Sequence, residues 1–417
     1  MRDENEMIDD EGAVRLLEPL RGDPDVRTVI DVPRAMAEGL RRRRLRRWSS
    51  GVAALAVTAV AAGGGTFAVA AMRPDDPLPR PTPTASARTP SAAAAPVGPA
   101  SCAVTRLPTA GVKKALATAG DPSGRWAAGR LYSTAGHPTK LVVWKDGAID
   151  KQVAMPGSDA TFGDLNSAGH GLVTAYGAGD HESSYFYQDG RFTRLRGSDV
   201  SAGALNEAGV IVGGRTVSAD LDMIPVRWAS ATAAPQPLPL PASATNGSAG
   251  DIAEDGTILG SVSVGTKTAA AYLWFPDGTG RYLPVPKMRD GTRATSFVGQ
   301  SISNGWVAGS AVLDTADSST FTPVRYRIAT GEYEFLPREL GTAARISADG
   351  WIVGEGQFSP VLVAGTRAVK LPPYGPTSKN PGEISYDVRG ISADGAVIVG
   401  YKAGLQLTND PLMWTCR

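Results

Sequence analysis

From residue 101 onward the chain repeats itself seven times, and a repeat of this length leaves few folds open. One element is a turn leading into an apolar strand that ends in Gly. It reads ALNEAGVIVGG at 204–214, DIAEDGTILGS at 251–261, SISNGWVAGS at 301–310, RISADGWIVGE at 345–355 and GISADGAVIVGY at 390–401. Weaker copies stand at 120–130 and 164–175. The turn glycines Gly124, Gly169, Gly209, Gly256, Gly305, Gly350 and Gly395 are spaced by 45, 40, 47, 49, 45 and 45 residues. About 45 residues is the length of a four-stranded propeller blade, so the repeat predicts an all-β, seven-bladed β-propeller over 101–417.

The second half of each unit supports this reading. An aromatic-centred strand leads through a short turn to a strand that often closes with Leu-Pro, as in AYLWFPDGTGRYLPVP at 271–286 and VRYRIATGEYEFLP at 324–337. The aromatic falls at Trp144, Tyr187, Trp228, Trp274, Tyr326 and Trp414, with Val363 in the sixth unit. Flat side chains at one strand position suit packing between neighbouring sheets. Forty-nine Gly and thirty-one Pro fit tight turns and argue against helices. Ser or Asn three residues before the turn Gly bonds back to the turn backbone, while Gly supplies positive φ.

The alternation of I-[NS]-x-x-G-x-hydrophobic-hydrophobic-G with A-x-L-W-x-x-G resembles the bacterial extracellular HAF-type repeat proteins. Ala271-Tyr272-Leu273-Trp274 with Gly278 is the nearest copy, and Ala270 stands where those repeats carry His. The resemblance covers about 101–417, implies an extracellular β-propeller and assigns no activity.

The seventh unit stops at Met413-Trp414-Thr415-Cys416, after its third strand. Cys102 to Pro108 matches Gly278 to Pro284, so the N-terminal strand is predicted to complete the last blade. In that alignment Cys102 and Cys416, the two cysteines of the chain, flank a strand-to-strand turn. A disulfide between them is expected in an oxidising compartment.

Ahead of the repeats, residues 51–72 form an uncharged stretch of 22, long enough to span a bilayer. Six arginines within 41–47 precede it and predict a cytoplasmic N-terminus. The expected organisation is a cytoplasmic tail at 1–48, a transmembrane helix at 49–72, a disordered Pro/Ala/Thr-rich stalk at 73–100 and the extracytoplasmic propeller at 101–417. Two alternatives are signal-peptidase cleavage at Ala68–Ala70, giving a secreted protein, and a twin-arginine signal at Arg46 and Arg47.

No catalytic signature stands out. His137, His170 and His181 are at no metal-ligand spacing, and no G-x-S-x-G or Walker loop is present, so neither cofactor nor metal is expected. With a net charge of +1 the chain offers no field for a polyanion, and no nucleic-acid partner is expected. Strand order puts the longer connections on the face opposite the stalk, where binding residues usually reside. Candidates there are Arg289, Asp290, Arg293, Asp314, Tyr374, Lys379, Tyr386 and Asp387. Paired carboxylates among Asp220, Asp222, Asp290, Asp314 and Asp387 would suit a glycoside hydrolase. The inner-strand charges Asp164, Asp251, Arg345 and Arg389 are expected as solvated channel residues. The expectation is a monomeric, membrane-anchored binding or scaffold module for a protein or cell-wall ligand. The alternatives are an exported carbohydrate- or peptide-active hydrolase or lyase, and signalling through the cytoplasmic tail.

Overall fold

The computed structural model describes residues 98–417, apart from 134–137, 178–181, 219–221, 264–268, 316–317, 378–383 and 405–408. The predicted tail, membrane span and most of the stalk lie outside the described residues, as does Lys379. Among the described residues no helix is long and apolar enough to cross a membrane.

Seven four-stranded antiparallel sheets stand in sequence as the blades of a propeller. The innermost strands are Ala115–Gly120, Ser158–Leu165, Val200–Leu205, Asn246–Ile252, Ser296–Ser303, Thr342–Ile346 and Ile384–Ile391. We letter each blade's strands A to D outward from these. Blade seven takes its D strand, Cys102–Arg106, from the other end of the domain, with Cys102 paired to Cys416 and Arg106 to Leu412. Cys102 and Cys416 form a disulfide across the first pair of this ladder. Backbone bonds from Ala100 and Ser101 to Arg417 extend the closure beyond it.

Each A strand carries a β-bulge at the same level, at Thr118, Gly163, Gly203, Gly250, Gln300, Ala344 and Arg389. The bulge explains the closing Gly of the repeat. A Cβ on Gly129, Gly213, Gly260, Gly309, Gly354 or Gly400 of the B strands would collide with a carbonyl oxygen of the facing A strand. Only a residue without a side chain lets the two backbones approach this closely.

The apolar core divides into seven clusters, one at each junction between neighbouring blades. C-strand tryptophans stand in four of the clusters, and Trp144, Trp228 and Trp414 are 0 % exposed. Each indole N–H needs an acceptor at that depth. Trp144 donates to Pro108 O at 2.7 Å, Trp228 to Arg196 O at 2.9 Å, Trp274 to Pro239 O at 2.7 Å and Trp414 to Pro372 O at 2.9 Å. These acceptors lie in the segment leaving the preceding blade's D strand. The Leu-Pro ending therefore has two duties, since its leucines at 107, 283, 336 and 371 are buried as well.

Candidate functional site

Antiparallel order sorts the connections onto two faces. A–B and C–D turns share one, and B–C and D–A connections share the other. On the first face the turns are short and self-satisfied. Asn206 Oδ1 accepts from Val210 N at 3.0 Å, Ser347 Oγ from Trp351 N at 3.1 Å and Ser392 Oγ from Val397 N at 2.9 Å. Neighbouring turns are also tied together, with Ser167 donating to the Glu207 carboxylate and Glu207 N to Glu254 Oε2.

The second face holds the long connections, of which the largest run from Tyr282 to Ser296 and from Lys370 to Ile384. The B–C hairpin of blade five, Trp306–Asp314 with Ser319–Arg327, has nine-residue strands, against six in Ile211–Thr216 and Met223–Trp228 of blade three. Five large hydrophobic side chains are exposed among the described residues, and four of them, Tyr176, Val217, Phe321 and Phe358, sit on B–C hairpins of this face. The fifth, Tyr282, lies on the outermost strand of blade four.

The predicted binding residues fall into two groups separated by blade six. In the first, residues 287–293 form a small hairpin closed by a Lys287–Arg293 bridge. Arg289 is committed to structure, since its guanidinium lies 5.0 Å from the Phe335 ring and donates to Leu336 O at 2.9 Å. Asp290 accepts from Thr292 N at 2.9 Å, and those turn bonds hold its carboxyl below the usual range. Arg293 is exposed. Asp314 N donates to Thr295 Oγ1 at 2.9 Å, which brings Asp314 beside this hairpin.

The second group is largely internal. Tyr386 is 5 % exposed and packs in the core between blades six and seven, with its hydroxyl accepting from Tyr374 N at 3.1 Å. Its ring is a packing element. The Tyr374 loop is pinned by Lys402, whose Nζ donates to Tyr374 O at 2.8 Å and Pro376 O at 2.9 Å. Asp387 turns toward Arg389 and Tyr401, accepting from them at 2.6 and 2.8 Å. Burial and then this carboxylate push the Tyr401 phenol up to about 12.

The inner-strand charges have a structural task. Asp164 Oδ1 accepts from Leu165 N at 3.0 Å, and Oδ2 accepts from Leu205 N of the next blade at 2.8 Å. Asp251 does the same with Ile252 N at 2.9 Å and Ile302 N at 2.8 Å. Each carboxylate thus latches two adjacent A strands. Protein surrounds both groups while leaving them some solvent access. Burial, and then Asp251, push Asp164 up to about 7, and burial likewise raises Asp251 while Arg345 opposes it. Two backbone donors favour the ionised form of Asp164 against that rise.

On the long-loop face, two of the carboxylates considered for a glycoside hydrolase are engaged in local structure. Asp222 accepts from Ser218 Oγ at 3.0 Å and Asn246 Nδ2 at 2.8 Å, Asp290 closes its own turn, and Asp220 lies outside the described residues. Among the described residues no three His, Cys, Asp or Glu side chains converge into a metal cage. The hairpin hydrophobics escaped sequence reasoning because single Tyr, Val or Phe residues beside a loop read as strand ends. That they share one face emerges only from strand order.

No family model matches the chain, and no curated protein does. Solved structures do. The β-propeller domain of the Trilobed protease from Pyrococcus furiosus, described as having an open velcro topology, is 12 % identical, with a TM-score of 0.51 over 72 % of this chain and 96 % of that one. Acylaminoacyl peptidase from Pyrococcus horikoshii is 14 % identical, with a TM-score of 0.46 over 70 % of this chain and 50 % of that one. TolB from Acinetobacter baumannii is 12 % identical, with a TM-score of 0.35 over 57 % of this chain. The present chain spans 60 % of the TolB chain. At these identities the likeness is one of fold.

Proposed function

We propose that the domain is a non-enzymatic recognition module, carried outside the cell by a membrane anchor at residues 51–72, that binds a protein or cell-wall ligand through its long-loop face. The observation that carries this reading is the gathering of Tyr176, Val217, Phe321 and Phe358 on the B–C hairpins of one face. Exposed aromatic and aliphatic groups on projecting hairpins cost free energy in water and regain it when a partner covers them. Exposed charges at Asp290, Arg293 and Asp314 lie on the same face and supply a polar rim. The rigid blades beneath hold these groups in fixed relative positions, which lowers the ordering cost of association.

The test is proximity labelling of the exported full-length chain, compared with a Tyr176→Ser, Phe321→Ser, Phe358→Ser variant. The variant is expected to keep its melting temperature and lose the labelled partners. A variant that labels the same set as the parent overturns the assignment.

A further inference from the structure

On the short-turn face, each junction between blades has a potential plug. The residue that closes an A–B turn reaches toward the turn glycine of the following blade. Trp126 packs over Gly169, Trp306 over Gly350, Trp351 over Gly395 and Val397 over Gly124. At the other three junctions the closing residues are His170, Val210 and Thr257. There a Cβ on Gly209 or Gly305 would meet nothing within 4 Å, and one on Gly256 would meet only Pro276. The unplugged junctions are consecutive, from blade two to blade five.

At the middle one, between blades three and four, the gap is a cleft of about 360 Å³. Val210, Leu238, Pro239, Trp274, Phe275 and Pro276 form its apolar walls. Glu254 and Asp255 stand along it, with Arg227 also lining it. Burial first, and then the like charges of Glu207, Asp251 and Asp255, raise the Glu254 carboxyl, so acidic groups gather along this edge of the cleft.

We propose that this cleft docks a segment of the chain itself, residues 77–81, whose sequence is Pro-Leu-Pro-Arg-Pro. The prolines and Leu78 lie against the aromatic and proline walls, and Arg80 meets Glu254 and Asp255. Proline-rich segments lose little conformational entropy in aromatic-lined grooves. A guanidinium between two carboxylates forms charge-assisted bonds.

Position and reach agree with this pairing. Gly98 packs against Ala364, at the C–D turn of blade six, so the chain reaches the domain on the same face as the cleft. Crossing the ring from there spans on the order of 40 Å, given strands ~4.8 Å apart on either side of the axis. The 17 residue steps from Pro81 to Gly98 extend roughly 50 Å at ~3.1 Å each. Tethering holds the segment at an effective concentration in the millimolar range, so a weak contact stays occupied. The docking uses the face opposite the hairpin hydrophobics and is independent of what they bind.

The experiment places p-benzoylphenylalanine at position 276 of the full-length chain in membranes and maps the photo-adduct. The expected product is an intrachain link to a peptide containing residues 77–81. Arg80→Glu, at a position outside the described residues, should cut the yield at least fivefold while the melting temperature persists. Val210→Trp, which fills the cleft as Trp306 fills its own junction, should abolish the link while the Cys102–Cys416 bond and melting temperature persist. Adducts to a second copy, to another protein, or to no residue of 73–97 overturn the proposal. So does a yield indifferent to Arg80→Glu.

Discussion

Removing the disulfide offers a quantitative test of how the ring is closed. Cys102 and Cys416 are separated by 314 residues, so their bond constrains nearly the whole domain when it unfolds. In the chain-entropy description a loop of this size loses roughly 5–6 kcal/mol of unfolded-state freedom at 25 °C. The native state should change little in a Cys102→Ser, Cys416→Ser variant. The ladder from Cys102 to Arg106 still has its backbone pairing, and Ala100 and Ser101 still bond to Arg417 O at 2.7 and 3.2 Å. The loss therefore falls on the unfolded ensemble. Guanidinium titration of oxidised parent and variant should show the unfolding free energy reduced by about 4–6 kcal/mol. The slope should be steeper, because an uncrosslinked chain exposes more surface. Near-ultraviolet circular dichroism should be unchanged before the transition. A loss under about 1 kcal/mol, or a flattened slope, would refute the reasoning. Either result would mean that the ladder opens before the domain does and that the bond guards only one strand.

Asp164 makes a pH prediction. Its native pKa of about 7 lies above the ordinary 3.8, so the folded state holds the proton more tightly than the unfolded state. The stabilisation is complete below pH 3.8 and is lost as pH rises through 7, with a ceiling of roughly 4 kcal/mol. Asp164→Asn should flatten that part of the stability profile, and a profile parallel to the parent would count against the assignment. Gly260→Ala should destabilise by about 2–3 kcal/mol, since the new Cβ strikes Ser248 O and the Trp274 ring. Gly163→Ala, where a Cβ meets nothing within 4 Å, should stay within about 0.5 kcal/mol by thermal melting. Trp228→Phe, which shrinks a side chain that is 0 % exposed and takes the donor from Arg196 O, should cost about 1–3 kcal/mol in denaturant.

Much of this architecture was legible because its determinants are local and repeated. The turn glycines, closing Leu-Pro pairs and strand-C aromatics each solve a problem that recurs at every blade. Their spacing therefore reveals the blade count, the completing strand and the cysteine partner. The bulges were not legible. Their residues, Thr118, Gly163, Gly203, Gly250, Gln300, Ala344 and Arg389, share a backbone position and no side-chain chemistry. The candidate binding residues were read less well for a related reason. Tyr386 and Arg289 flank long connections in sequence, yet one ring packs in the core and the other side chain is bound to Phe335 and Leu336. Polarity near a loop reports exposure only on average. Whether a particular side chain is spent on its own scaffold depends on neighbours some forty residues away.

The position of the disulfide within its ladder bears on how the domain withstands force. A pull on the chain ahead of Gly98 acts on Cys102, the end of the closing strand nearest the pull. Without a covalent link, such a load would peel that strand from Thr415 and Trp414 one hydrogen-bonded pair at a time, the geometry in which a β-ladder is weakest. With Cys102 bonded to Cys416 at the first pair, the tear cannot enter the ladder. Tension passes instead into the C strand Asn409–Cys416, which has a neighbour on each side. The domain is thus fastened like a zipper stitched shut at its first tooth, at the end from which the chain would tug.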